Sequence, residues 1–106
     1  MDDMKIVFIC GHYRAKTIHG VVENIRAAEK YAKKYWRLGY CVICPHKNTA
    51  LFDGILPDDV WLKGAQKLLS ISDVVVMLPG WEDSAGSVNE QHLAVQLGKK
   101  IIFEDD

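Results

Sequence analysis

Four short runs of apolar, largely β-branched residues punctuate the chain: KIVFIC at 5–10, YCVIC at 40–44, DVVVML at 73–78 and KIIF at 100–103. Their hydrophobicity is continuous rather than alternating, which predicts strands covered on both faces, as in a parallel sheet. Between the runs the period changes to that of a helix. Val21, Ile25, Ala28, Ala32 and Tyr35 fall on one stripe and predict a helix over 20–38, stopped by Gly39. Pro57, Asp58 and Asp59 open a second helix, with Trp61, Ala65, Leu68 and Leu69 inward and the acids at its positive end. A third runs over 87–97, with Gly98 as its stop.

Strands alternating with helices imply right-handed crossovers. The expected fold is α/β: a small doubly wound, flavodoxin-like domain with a four-stranded parallel sheet of order 2-1-3-4 and helices on both faces. No internal repeat or linker divides residues 1–106, so one domain is expected. Ligands of such folds bind outside the carboxyl ends of the strands, at the switch point between the first and third. The loops there, GHYRAKTIHG, PHKNTALFDG and PGWEDSAGS, hold most of the unusual polar residues, whereas the loops at the opposite ends are short.

Charge adds exclusions. Thirteen basic residues against fourteen acids, a formal net charge of −1, carry no nucleic-acid footprint. The longest apolar run is too short to cross a bilayer, so no membrane partner is expected. The opening MDDMK is acidic and reads as no signal peptide, which points to the cytoplasm. Cys10, Cys41 and Cys44 make no disulfide framework. Cys41 and Cys44 have C-x-x-C spacing, but three apart on a strand they face opposite ways, so metal and redox roles are set aside for buried core cysteines.

Glu90 is the residue with two readings. Ser87 and Glu90 have capping-box spacing, in which the carboxylate merely reaches back to the helix start. On a helical wheel, however, Leu93, Ala94 and Leu97 follow Glu90 at inward spacings, so it begins the apolar stripe. A carboxylate there faces the sheet, where first-turn amides and the helix dipole favour its ionised form. Such an acid can serve as a nucleophile. The pattern alone leaves both readings open.

LPGWEDSAGSVNEQHLA (78–94) together with FICGHYRA (8–15) resembles the nucleoside 2-deoxyribosyltransferase superfamily, nearest to a bacterial and phage branch with a GWxxSxGxxxE run. The first-strand turn is also similar to that of the deoxynucleoside 5′-monophosphate N-glycosidases. The likeness spans nearly the whole chain, including Ser72 and Asp73 before the third strand and GKK before the fourth. It implies that Glu90 attacks C1′ of a (deoxy)ribose and that Asp83 binds or protonates the leaving base. It further implies that Gly86 and Ser87 offer donors to a hydroxyl or 5′-phosphate, with Gly11 and Arg14 facing the same group. No cofactor is implied.

The remaining candidates carry alternatives. Tyr13, beside His12, orients Glu90, stacks on a base, or packs on Trp81. Trp81 walls the pocket and stacks on a base, or anchors a subunit interface. His46 is an acid near the base or a solvent-exposed turn residue. Asn24 reaches the pocket or lies on the surface of the first helix, and His92 belongs on the outer side of the last. Lys30, Lys33, Lys34 and Arg37 make a solvated basic face. Trp36, Tyr31 and Tyr35 on one helix suggest a homodimer or homotetramer, against which a monodisperse monomer in light scattering would count. The function expected is an N-ribosyl hydrolase or transferase acting on a nucleoside or nucleotide. Two alternatives stand beside it: a non-catalytic nucleotide-binding or sequestering module, and an NAD-cleaving glycohydrolase.

Overall fold

The four apolar runs form β1 (Ile6–Cys10), β2 (Cys41–Ile43), β3 (Val74–Met77) and β4 (Lys100–Phe103) in the computed structural model, which describes residues 4–105. The first three residues of the acidic N-terminal stretch lie outside the described residues. All pairings are parallel and the order is β2-β1-β3-β4, as the alternation of elements predicts. Asp73 helps set the register: its carboxylate accepts from the Ile6 amide at 2.7 Å, tying the start of β3 to β1. Ser72, just before it, is buried and donates to the Leu68 carbonyl at 2.8 Å.

The central strands are buried on both faces because successive side chains point to opposite sides. Val7, Ile9, Val74, Val76 and Leu78 pack with Ala28, Ala32 and Tyr35 of α1 (Ile18–Arg37). Phe8, Cys10, Val75 and Met77 pack with Leu69 of α3 (Asp58–Ser70) and Ala94 of α4 (Ala85–Gln96). One helix thus covers one face and two cover the other. β2 and β4, at the edges, are half-buried or exposed along their lengths. Cys41 and Cys44 are correspondingly half-buried rather than sealed in the core.

Two helices begin earlier than their apolar stripes suggest. Thr17 caps α1, its hydroxyl accepting from the Gly20 amide at 3.0 Å. Ser84 caps α4, its hydroxyl accepting from the Ser87 amide at 3.2 Å. The capping box at Ser87 and Glu90 therefore does not form, and Glu90 lies in the second turn. A short α2 (Pro45–Asn48), too brief to show a period, follows β2. Of the three aromatics that suggested association, Tyr35 is buried and Tyr31 half-buried within the chain, leaving Trp36 largely exposed. Leu97, expected inward, is exposed at the end of α4. No helix among the described residues is long and apolar enough to cross a membrane.

Candidate functional site

A cavity of about 620 Å³ opens at the carboxyl ends of the strands. Three segments wall it: the loop after β1, the stretch from Pro45 through the first turns of α3, and the N-terminal turns of α4. Most residues expected at the site meet here, namely Gly11, Tyr13, Arg14, Asp83, Gly86, Ser87 and Glu90. Trp81 does not. It begins a 3-10 turn (Trp81–Asp83) after Gly80, whose φ of 82° lies in the left-handed region, and that turn carries its indole away from the cavity. The ring packs on Phe103 with centroids 5.7 Å apart and joins the apolar cluster under α4.

Glu90 faces inward. Its Oε1 accepts from the Cys10 thiol at 2.9 Å, and the side chain lines the cavity. First-turn amides do not reach it, since α4 starts at Ala85. Burial therefore governs its titration, pushing the carboxyl above the ordinary carboxylate range, while the Cys10 hydrogen bond pulls the other way. The expectation that the helix start alone keeps this acid ionised is corrected accordingly. Burial, then the Glu90 charge, raises the Cys10 thiol steeply, so it stays protonated and able to donate.

Beside Glu90, Ser87 is buried and its Oγ has no hydrogen-bond partner among the described residues. An unmet buried hydroxyl is costly in a folded chain. Helix geometry leaves the first amides of α4 without intrahelical partners. The Ser87 amide is taken by the Ser84 hydroxyl and that of Val88 by the Ser84 carbonyl, which leaves the amides of Ala85 and Gly86 at the cavity. A Cβ on Gly86 would meet nothing within 4 Å, so backbone packing does not require glycine there. Gly11 differs: a Cβ would come within 3.0 Å of Leu78, so this glycine serves close packing at the end of β1. Asp83 is exposed on the wall.

The loop after β1 is tied down on three sides. Tyr13 donates to Asp53 at 2.6 Å and accepts from the Leu51 amide at 2.8 Å, so its hydroxyl is engaged away from Glu90, and its ring faces His46 with centroids 6.2 Å apart. Arg14 pairs with Asp58 at 2.5 Å, both side chains well exposed. That carboxylate occupies the guanidinium expected to meet a phosphate. His12 Nε2 lies 2.8 Å from the Gly80 carbonyl, linking the loop to the 3-10 turn. Asn24, on the half-buried side of α1, donates to the Tyr13 and Arg14 carbonyls at 3.0 and 3.3 Å. It braces the loop rather than reaching the pocket.

His46 overturns both of its expected roles. It is buried, with Nε2 2.8 Å from the His12 carbonyl. A carbonyl only accepts, so Nε2 carries the hydrogen. Burial holds the ring below its ordinary pKa and hence neutral. The single N–H is then committed to the backbone, and the ring is no proton donor to a ligand. Sequence reasoning missed Cys10, Asp53, Asp58, Phe52 and Trp61, all but Cys10 on the cavity wall. Cys10 alternates onto the same face of β1 as Phe8, and the structure is needed to show that α4 covers that face. No group of three or more His, Cys, Asp or Glu among the described residues comes together to hold a metal.

Residues 8–103 match the family model described as "Domain of unknown function (DUF4406)". The chain belongs to that family. No curated protein sequence matches it. Among solved structures, a 2-deoxyribosyltransferase from the psychrotolerant bacterium Bacillus psychrosaccharolyticus has the same fold, with a TM-score of 0.69 over 94% of this chain and 72% of that one. The two sequences are 14% identical over that match, so the likeness is one of fold.

Proposed function

We propose that this protein cleaves the N-glycosidic bond of a nucleoside or nucleotide, with Glu90 as the nucleophile. The observation that carries the reading is the inward-facing carboxyl of Glu90 on the wall of a cavity at the strands' carboxyl ends. The fold shared with a 2-deoxyribosyltransferase supports it. One Glu90 oxygen forms a bond to C1′ while the C1′–N bond breaks, and its electron pair leaves with the base, which takes up a proton. Asp83, on the wall near the start of α4, binds that base or relays the proton. The Ser87 hydroxyl and the amides of Ala85 and Gly86 hold a sugar hydroxyl. Water then attacks C1′ to complete hydrolysis, or a second base attacks to complete transfer. The path through an oxocarbenium-like transition state beside a carboxylate parallels that of retaining glycosidases.

A second reading, a nucleotide-binding module without turnover, is favoured by the unmet Ser87 hydroxyl and the amides of Ala85 and Gly86, which can hold a sugar hydroxyl with Glu90 serving only to bind it. One experiment separates the two. Wild type and Glu90→Gln are incubated with nucleosides, nucleotides and NAD, and free base is followed by chromatography. Catalysis predicts base release that Glu90→Gln lowers by on the order of 10³-fold or more. Tight binding without base release, equal in both proteins, would establish the binding module. Release of nicotinamide alone would make the enzyme an NAD-cleaving glycohydrolase.

A further inference from the structure

We propose that Cys10 is a positioning residue for Glu90, its thiol fixing one carboxylate oxygen against the end of β1 so that the other is presented to the cavity. The inference rests on the reading of Glu90 as the reacting group. Cys10 is 1% exposed, lies on the face of β1 that α4 covers, and contacts Oε1 at 2.9 Å. Oε2 takes no hydrogen bond from any described residue and is not among the fully buried unpaired atoms. One oxygen is therefore anchored and one open.

The Ser87 hydroxyl beside Glu90 makes no hydrogen bond among the described residues, and the polar side chains of the loop after β1 and of α2 are engaged away from Glu90. From the loop after β1, His12 is on the Gly80 carbonyl, Tyr13 on Asp53 and Arg14 on Asp58. From α2, His46 is on the His12 carbonyl. Asp83, in the 3-10 turn, is exposed on the wall and makes no hydrogen bond to Glu90. Among the described residues no tyrosine, histidine or arginine donates to Glu90, and the thiol alone does so.

A thiol suits this place for a physical reason. An apolar residue would leave the carboxyl buried without a donor, which favours its protonated, non-nucleophilic form. A strong donor such as a hydroxyl would hold the anion more firmly and blunt its attack. The weakly donating S–H orients the oxygen while stabilising the charge only modestly. Burial and the adjacent acid keep this thiol protonated, so it remains a donor across the range in which the carboxyl titrates.

The test is the titration of Glu90 itself, followed by NMR on protein carrying 13C-carboxyl-labelled glutamate, with Glu90→Gln assigning the resonance. Cys10→Ala is expected to move the Glu90 midpoint to higher pH, and Cys10→Ser to move it to lower pH. The acid limb of the kcat/KM profile should follow in the same directions. A residue that only fills space would leave both midpoints where they are, or move them together, and either result overturns the proposal. Should neither Cys10 variant fold, the S–H stretching band of the wild type decides. It should shift on Glu90→Gln, whereas an unchanged band refutes the contact. Base release by wild type combined with identical titrations in the Ala and Ser variants would sink the positioning role and leave the enzymatic reading intact. If wild type releases no base, the enzymatic reading falls, and the titration alone upholds or overturns the contact.

Discussion

Burial raises the Glu90 pKa, so the folded protein binds that proton more tightly than the unfolded chain does. The sign follows directly. The stability tied to this group is fully present below the unfolded-state pKa and is lost as pH rises through the folded-state pKa. Glu90→Gln, which cannot ionise, should therefore melt higher than wild type at neutral pH, with the difference closing as pH falls through the carboxyl range. Thermal denaturation across that range checks it, and a constant difference at every pH would contradict the burial argument. Asp58 supports a prediction about specificity. Its exposed pair with Arg14 adds about 0–1 kcal/mol to stability. Asp58→Asn should leave the melting temperature nearly unchanged while raising affinity for a 5′-monophosphate over its nucleoside, read by calorimetry; no change in that ratio would remove Arg14 from the substrate's path. The inward aim of Glu90 was legible from Leu93 and Ala94 at helical spacing. Its partner was not, because Cys10 reads as one more apolar strand residue until α4 is laid across it. Nor was the competition for Arg14, since Asp58 lies more than forty positions away and reads as an ordinary first-turn helix acid.

The start of α4 decides which groups meet the cavity. The acid three positions after Ser87 makes Ser87 read as the cap of this helix. The folded chain uses Ser84, because Gly80 and the 3-10 turn end there and the extended Ser84 backbone can begin the helix. That choice places Ser87 in the first turn, buried, with its hydroxyl unmet. Ser84→Ala should then cost about 1 kcal/mol in chemical denaturation. Ser87→Ala should be neutral or stabilising, as removal of an unsatisfied buried polar atom is, while weakening substrate binding. The reverse order of stabilities would restore the later helix start. α2 was not legible for a simpler reason: four residues hold about one turn, so no period can appear. His46 consequently read as an acid near the base or a solvent-exposed turn residue, although α2 turns it inward onto the His12 carbonyl.

The sheet order could be read from the chain because the β1 and β3 runs are apolar at every position, as in strands covered on both faces, and alternate with helical stripes that imply right-handed crossovers. The site could be placed from the same logic, as the polar loops cluster at one end of that sheet and the cavity lies among them. The contents of its middle wall were less legible. Phe52 and Asp53 come from a segment whose conformation is set by tertiary contacts, including the Tyr13 hydroxyl and the Phe52–Trp61 ring contact, rather than by local pattern. What joins the three walls is the carboxyl they face. Its chemistry is tested most directly by intact-protein mass spectrometry of acid-quenched mixtures with the nucleosides and nucleotides that release base, followed by peptide mapping. A nucleophilic Glu90 predicts a mass increase equal to the sugar moiety, located on the peptide containing Glu90 and absent in Glu90→Gln. Base release at full rate by Glu90→Gln, or a sugar adduct on another residue, would contradict it.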